Sequence, residues 1–270
     1  VNLANQLHTA RVLLYHSFTT NRQDTFPPFA SEVEDRWIQT LERLNELKSS
    51  LEMFTERNTK IDIMTDCSSL QEAIDSMRGQ RKIGLVVMGS TGNNKLRRLF
   101  IGSNTMSISD TCRLPLLIVP PDTEFEKIER AVFACDARCT DQVPVSTIEH
   151  FIEQLHLKLA ILYFENEGAE AVNNYVEKKA ISKLVGSINP ENSHIHGGDV
   201  VEDIINFSNA NNIQMIIVIH KQQRFLQNIF HPGTNNQLAY YSHLPLLILK
   251  PAKHEYRVEN KEKAEHLVSA

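Results

Sequence analysis

Short apolar runs punctuate the chain, and a stretch with helical spacing follows most of them. ARVLLYHSF (10–18), KIDIMT (60–65), GLVVMG (84–89) and LPLLIV (114–119) read as strands, with helices between them at about 31–56, 68–78 and 104–112. The pattern then recurs. RAVFACDA (130–137) reads as a strand leading to a helix that ends near 156. KLAILYF (158–164), SHIHG (193–197), MIIVIH (215–220) and LPLLIL (244–249) follow as strands, with helices near 169–185, 199–210 and 235–242. The runs are continuously apolar rather than alternating, as expected of strands buried on both faces. Strands alternating with helices give a parallel sheet covered on both sides, with ligands at the carboxyl ends of the strands.

The recurrence is specific enough to define two copies of one unit. RLPLLIVPP (113–121) is answered by HLPLLILKP (243–251), LVVMGSTG (85–92) by IIVIHKQQ (216–223), and DCSSLQEAIDSM (66–77) by GGDVVEDIINFS (197–208), each at an offset near 130 residues. The expected fold class is α/β, as two tandem doubly wound parallel-sheet domains. The boundaries are 1–124 for the first, 125–252 for the second, and a polar tail over 253–270. The copies differ at their starts. The second has the strand RAVFACDA before its first helix, whereas the first begins with VNLANQLH, whose Val1, Leu3, Ala4 and Leu7 suit an amphipathic helix already under way. In a five-stranded doubly wound sheet the first strand is central, so its loss leaves buried neighbours unpaired. The expectation is a native N-terminus longer by a strand and part of a helix, without which the chain folds poorly. A further expectation concerns the edges: LPLLIVP and LPLLILK lack protective charges and are expected to join antiparallel about an internal pseudo-twofold axis, burying Leu116, Ile118, Leu246 and Ile248. Pro115 and Pro245 would then sit where no ladder N–H is required.

Composition narrows the classes. A chain of 270 residues with 41% hydrophobic and 23% charged residues has material for a proper core, and its formal charge of −5 argues against general affinity for nucleic acid or anionic membranes. Apolar runs such as QMIIVI and LPLLIL fall far short of the roughly 20 residues that span a bilayer. Cys67, Cys112, Cys135 and Cys139 form neither a redox nor a zinc spacing, and reduced thiols in a cytoplasmic protein are expected.

The candidate chemistry lies in GSTGNNKLRRLFIGS (89–103), which joins an apolar strand to a helix start. Glycines after a strand let backbone N–H groups turn toward an anion, and the helix start adds its dipole. A P-loop is excluded, because Gly89 is followed by Asn94, Lys95 and Leu96 where Gly, Lys and Ser or Thr are needed; G-x-G-x-x-G is absent as well. What stands there is Gly89-x-x-Gly92, nine residues, then Gly102-Ser103. Lys95, Arg97 and Arg98 add charge, although a solvated helix face accounts for them, with Leu96, Leu99 and Phe100 on the buried side. This spacing resembles the nucleotide-binding motif of the universal stress protein family. With the following LPLLIVP strand and the duplicated unit, the resemblance covers essentially the whole chain.

The resemblance implies a sheet order of 3-2-1-4-5 and ATP or a related adenine nucleotide in the first copy, with magnesium as the accompanying ion. Met88 and Gly89 would lie near ribose and base; Thr91, Gly92, Gly102, Ser103 and Asn104 would line the phosphates; His16 or Ser17 would sit beside adenine. The family's Asp at the end of the first strand has no counterpart in the first copy, whereas Asp136 stands at that place in the second. The second copy has His220, Lys221, Gln222 and Gln223 where the first has Gly89, Ser90, Thr91 and Gly92, and keeps only Gly233-Thr234 of the later pair. It reads as a degenerate partner. His194, His196 and Asp199 could hold a metal but are explained equally by a polar strand end, so no metal site is assigned. No nucleophile elbow or catalytic carboxylate pair is visible. The expectation is a nucleotide-binding stress-response protein, not an enzyme, acting through paired domains or as a homodimer. The alternative is a ligand-free scaffold of the same fold.

Overall fold

The computed structural model describes residues 1–17, 30–56, 59–80, 83–90, 103–121, 123–136, 142–165, 191–196, 200–220 and 244–252. Helices expected at 169–185 and 235–242 lie outside them. In the first half the elements are α1 (Asn2–Gln6), β1 (Arg11–Ser17), α2 (Ala30–Glu52), β2 (Lys60–Asp66), α3 (Leu70–Gln80), β3 (Val86–Gly89), α4 (Ser103–Thr111) and β4 (Leu116–Val119). The second half contributes β5 (Arg130–Asp136), α5 (Val145–Leu155), β6 (Lys158–Glu165), β7 (Glu191–His196), α6 (Val200–Ala210), β8 (Met215–Ile219) and β9 (Leu246–Leu249).

Among the described residues the strands form two sheets: the parallel pair β1-β2, and seven strands in the order β3-β4-β9-β8-β5-β6-β7. Within the second half that order places its first strand, β5, centrally between β6 and β8, all parallel. The continuous apolar runs explain the placement. Ala131, Val132, Phe133 and Cys135 of β5 are fully buried, and Ile217 and Val218 of β8 are equally so. One layer of the core gathers Val132, Ala134, Ile216, Val218 and Ile204; the other gathers Phe133, Cys135, Ile217 and the α5 residues Ile148, Phe151 and Leu155. The α5 spacing buries one stripe of that helix against the sheet.

β4 and β9 lie side by side and antiparallel, with Leu116 opposite Ile248, Leu117 opposite Leu247, and Ile118 opposite Leu246. Residues that match in sequence therefore meet or exchange places across Leu117–Leu247, which is the geometry of a local twofold. Alternate side chains enter opposite core layers, so the junction is dry on both faces. Pro115 and Pro245 contribute carbonyls instead of N–H groups, accepting from Val86 N–H and Ile216 N–H, each at 3.0 Å.

The turns before β1 and β6 share a device. Gln6-Leu7-His8 and Gln154-Leu155-His156 each close a helix, with His8 at φ 51° and His156 at φ 53° in the left-handed region. Thr9 N–H donates to Ala4 O at 2.9 Å, and Leu157 N–H to Ile152 O at 3.2 Å, satisfying helix-end carbonyls. The linker to the second half is tied to α1 by the Gln6 side chain, whose Nε2 donates to Ile128 O at 2.7 Å while its Oε1 accepts from Ile128 N–H at 3.1 Å.

Candidate functional site

Met88 and Gly89 are the last two residues of β3, and Ser103 opens α4. Thr105, in the first turn of α4, donates from Oγ1 to the Gly89 carbonyl at 3.0 Å and is almost fully buried. Ser90 N–H donates to Val119 O at 2.9 Å, extending the β3–β4 ladder one residue past the strand. The residues that flank segment 91–102 thus stand together, and the N-terminal amides of α4 meet the carboxyl end of β3. Thr91, Gly92 and Gly102 belong to that segment and lie outside the described residues. Asn104 is exposed on the first turn of α4. The C-terminal end of α4 is held from the second half. Lys250 Nζ donates to Ser109 O at 2.7 Å, and His220 Nε2 stands 3.2 Å from Asp110 Oδ1. Burial lowers the Lys250 ammonium below its ordinary value.

His16 and Ser17 end β1, in the other sheet. Ser17 Oγ donates to the Ser68 carbonyl. Beside it Tyr15 Oη donates to Asp66 Oδ1 at 2.8 Å, and the same oxygen accepts from Ser68 N–H at 2.8 Å, fixing the turn after β2. Burial, and then the Asp66 hydrogen bond, push the Tyr15 phenol up to about 12. Tyr163, the corresponding residue of β6, is also raised to about 12, mainly by burial. Between β1 and β3 lies a cavity of about 1770 Å³, lined among others by Val12, Leu14, Tyr15, Val87 and Met88. Of the sequence-predicted residues, Met88 lines this cavity; His16 and Ser17 stand at the end of one wall and Gly89 at the end of the other.

Two features of the site escaped the sequence reading. Thr105 carries no signal beyond being a hydroxyl residue in a helix's first turn. Tyr15 had one, since QLH followed by a tyrosine seven residues later occurs in both halves, whereas Asp66 had none. One expected correspondence is corrected. Ser90 N–H bonds Val119 O as His220 N–H bonds Leu249 O, both at 2.9 Å, so His220 matches Ser90 and Ile219 matches Gly89. Apolar runs slide freely against one another in sequence; the ladder fixes their register. The place of Gly89 is therefore taken by a β-branched side chain that is 1% exposed. Among the described residues no group of three metal-ligating side chains is found. Nor is any described helix long and apolar enough to cross a membrane.

The parallel sheet, its covering helices and the strand-to-helix junction define an α/β domain of the doubly wound class. Residues 1–120 match the model of the Universal stress protein family. A universal stress protein from Archaeoglobus fulgidus has a similar structure, with a TM-score of 0.63 at 14% identity over 91% of this chain and 89% of that one. A Pseudomonas aeruginosa protein provisionally assigned to the same family gives 0.51 at 12% identity, over 89% and 82%. Another protein of that organism, of unknown function, gives 0.52 at 10% identity, over 92% and 95%. These likenesses show the fold. No curated protein matches the chain.

Proposed function

We propose that this chain is a stress-response protein that binds one adenine nucleotide, ATP or a close relative, at the junction of β3 and α4. The observation that carries the reading is the Thr105 hydrogen bond to Gly89, which sets the α4 N-terminus at the carboxyl end of β3. Helix amides there attract phosphate, and Gly89, Gly92 and Gly102 leave the approach free of side chains. Met88 and Gly89 would meet ribose and base, with His16 or Ser17 beside adenine; Thr91, Gly92, Gly102, Ser103 and Asn104 would hold the phosphates. Magnesium would enter on the phosphate oxygens. The second half, with Ile219 in place of Gly89, takes a structural or regulatory part, and its pairing with the first makes the two domains one cytoplasmic unit. The proposal is of binding, not hydrolysis. Equilibrium dialysis of the full chain against labelled ATP tests it: retention by the parent and at least tenfold weaker retention by Gly102→Val are expected. Equal retention by both, or none by the parent, would contradict it, the latter in favour of a ligand-free scaffold.

A further inference from the structure

Given a nucleotide site at the β3–α4 junction, the reading on which this rests, we propose that Lys250 and His220 are positioning residues through which the second half sets the nucleotide affinity of the first. They act on α4 from its far end. The helix has nine residues and is about 13 Å long. Its first turn is tied to the carboxyl end of β3 by Thr105, whose Oγ1 donates to Gly89 O at 3.0 Å. Ile108 and Cys112 hold its middle and its end in the core cluster that also contains Ala73, Ile74 and Met77 of α3. A short helix with a packed middle moves as one piece, so a shift at its C-terminal turn reaches the amides of its first turn.

At that C-terminal turn the carbonyls run out of helical partners. Cys112 N–H takes Ile108 O at 2.8 Å, and the next two carbonyls, of Ser109 and Asp110, accept from Lys250 Nζ at 2.7 and 3.5 Å. The Asp110 carboxylate meets His220 Nε2 at 3.2 Å. An ammonium at this end also complements the helix dipole. Lys250 directly follows β9 and His220 directly follows β8, so both groups are delivered by the sheet of the second half. The grip runs one way. Ser90 N–H bonds Val119 O as His220 N–H bonds Leu249 O, so Ser90 and Pro120 hold the matching places in the first half. The Pro120 ring donates nothing, and Ser90 carries only a short hydroxyl. The half with Ile219 in place of Gly89 thus carries both side chains that grip the site-bearing helix of the other.

The test labels the full chain with iodoacetamide, following Cys112 and Cys135 separately by peptide mass spectrometry, beside equilibrium dialysis against labelled ATP. Both thiols are buried: Cys112 directly follows α4 near the grip, and Cys135 lies in the core of the second half, where it reports general unfolding. Burial raises the Cys112 thiol, with the Leu114 hydrogen bond and the Lys250 ammonium pulling the other way, so losing the ammonium would by itself slow labelling. Lys250→Met is expected instead to speed Cys112 labelling about tenfold, leave Cys135 unchanged and weaken ATP retention about tenfold, with Lys250→Arg restoring both. ATP should slow Cys112 labelling in the parent, because such coupling is reciprocal. His220→Phe, which keeps a ring without Nε2, should give the same changes to a smaller degree. Unchanged Cys112 labelling in both variants, Cys135 labelled as fast as Cys112 in both, or faster Cys112 labelling with unchanged ATP retention would overturn the proposal alone. A parent that retains no ATP would overturn it together with the nucleotide reading.

Discussion

At the scale of single residues, the left-handed histidines show how a local rule shapes both halves. An L-residue at positive φ costs about 1 kcal/mol relative to glycine, yet His8 and His156 hold that conformation because it lets the helix end and the next strand begin within a few residues. His156→Gly is expected to stabilise the protein by about 1 kcal/mol in urea unfolding. A destabilised variant would mean that the imidazole contributes more than the backbone strain costs. The paired tyrosines carry a pH prediction. Their folded pKa values near 12 lie above the ordinary 10, so the folded state holds the phenolic proton more tightly. That contribution is complete below about pH 10 and is lost as pH rises toward 12. Ultraviolet titration should show Tyr15 and Tyr163 ionising late. Asp66→Ala should bring one of them partway down while leaving the other in place.

At the scale of elements, apolar runs made the described strands legible, most sharply in β4, β8 and β9, where burial on both faces leaves no polar position to blur the limits. β7 is the exception in character: ENSHIH is polar and lies at the end of the sheet order, and its start at Glu191 preceded the expected one. Helix α1 was legible from four apolar positions. The candidate site was legible as a glycine spacing, but its anchor was not, since a hydrogen bond between Gly89 and Thr105 leaves no periodic trace. Register between the halves was misjudged by one residue at β8 for a related reason: alternative alignments of valine and isoleucine runs have almost the same hydrophobic pattern. Thr105→Val keeps the shape of that side chain and removes its hydroxyl. It should weaken nucleotide binding severalfold with only about 1 kcal/mol lost in stability. Unchanged affinity would detach the anchor from the site.

At the scale of the molecule, the β4–β9 junction makes the two halves share one sheet. Ile118 is 2% exposed, with Met88 opposite on one side and Leu246 on the other. Ile118→Lys places an ammonium in that core and should cost more than about 3 kcal/mol, with probes in both halves melting together. Independent melting of the halves would show that the junction does not couple them. The shared sheet also sets the asymmetry on which the functional reading rests: equivalent ladder positions end in Gly89 on one side and in buried Ile219 on the other. Titration calorimetry of the full chain with ATP measures that asymmetry directly. The account predicts a stoichiometry of one nucleotide per chain, abolished by Gly102→Val and untouched by Gly233→Val; two equivalent sites, or binding lost through Gly233→Val instead, would contradict it.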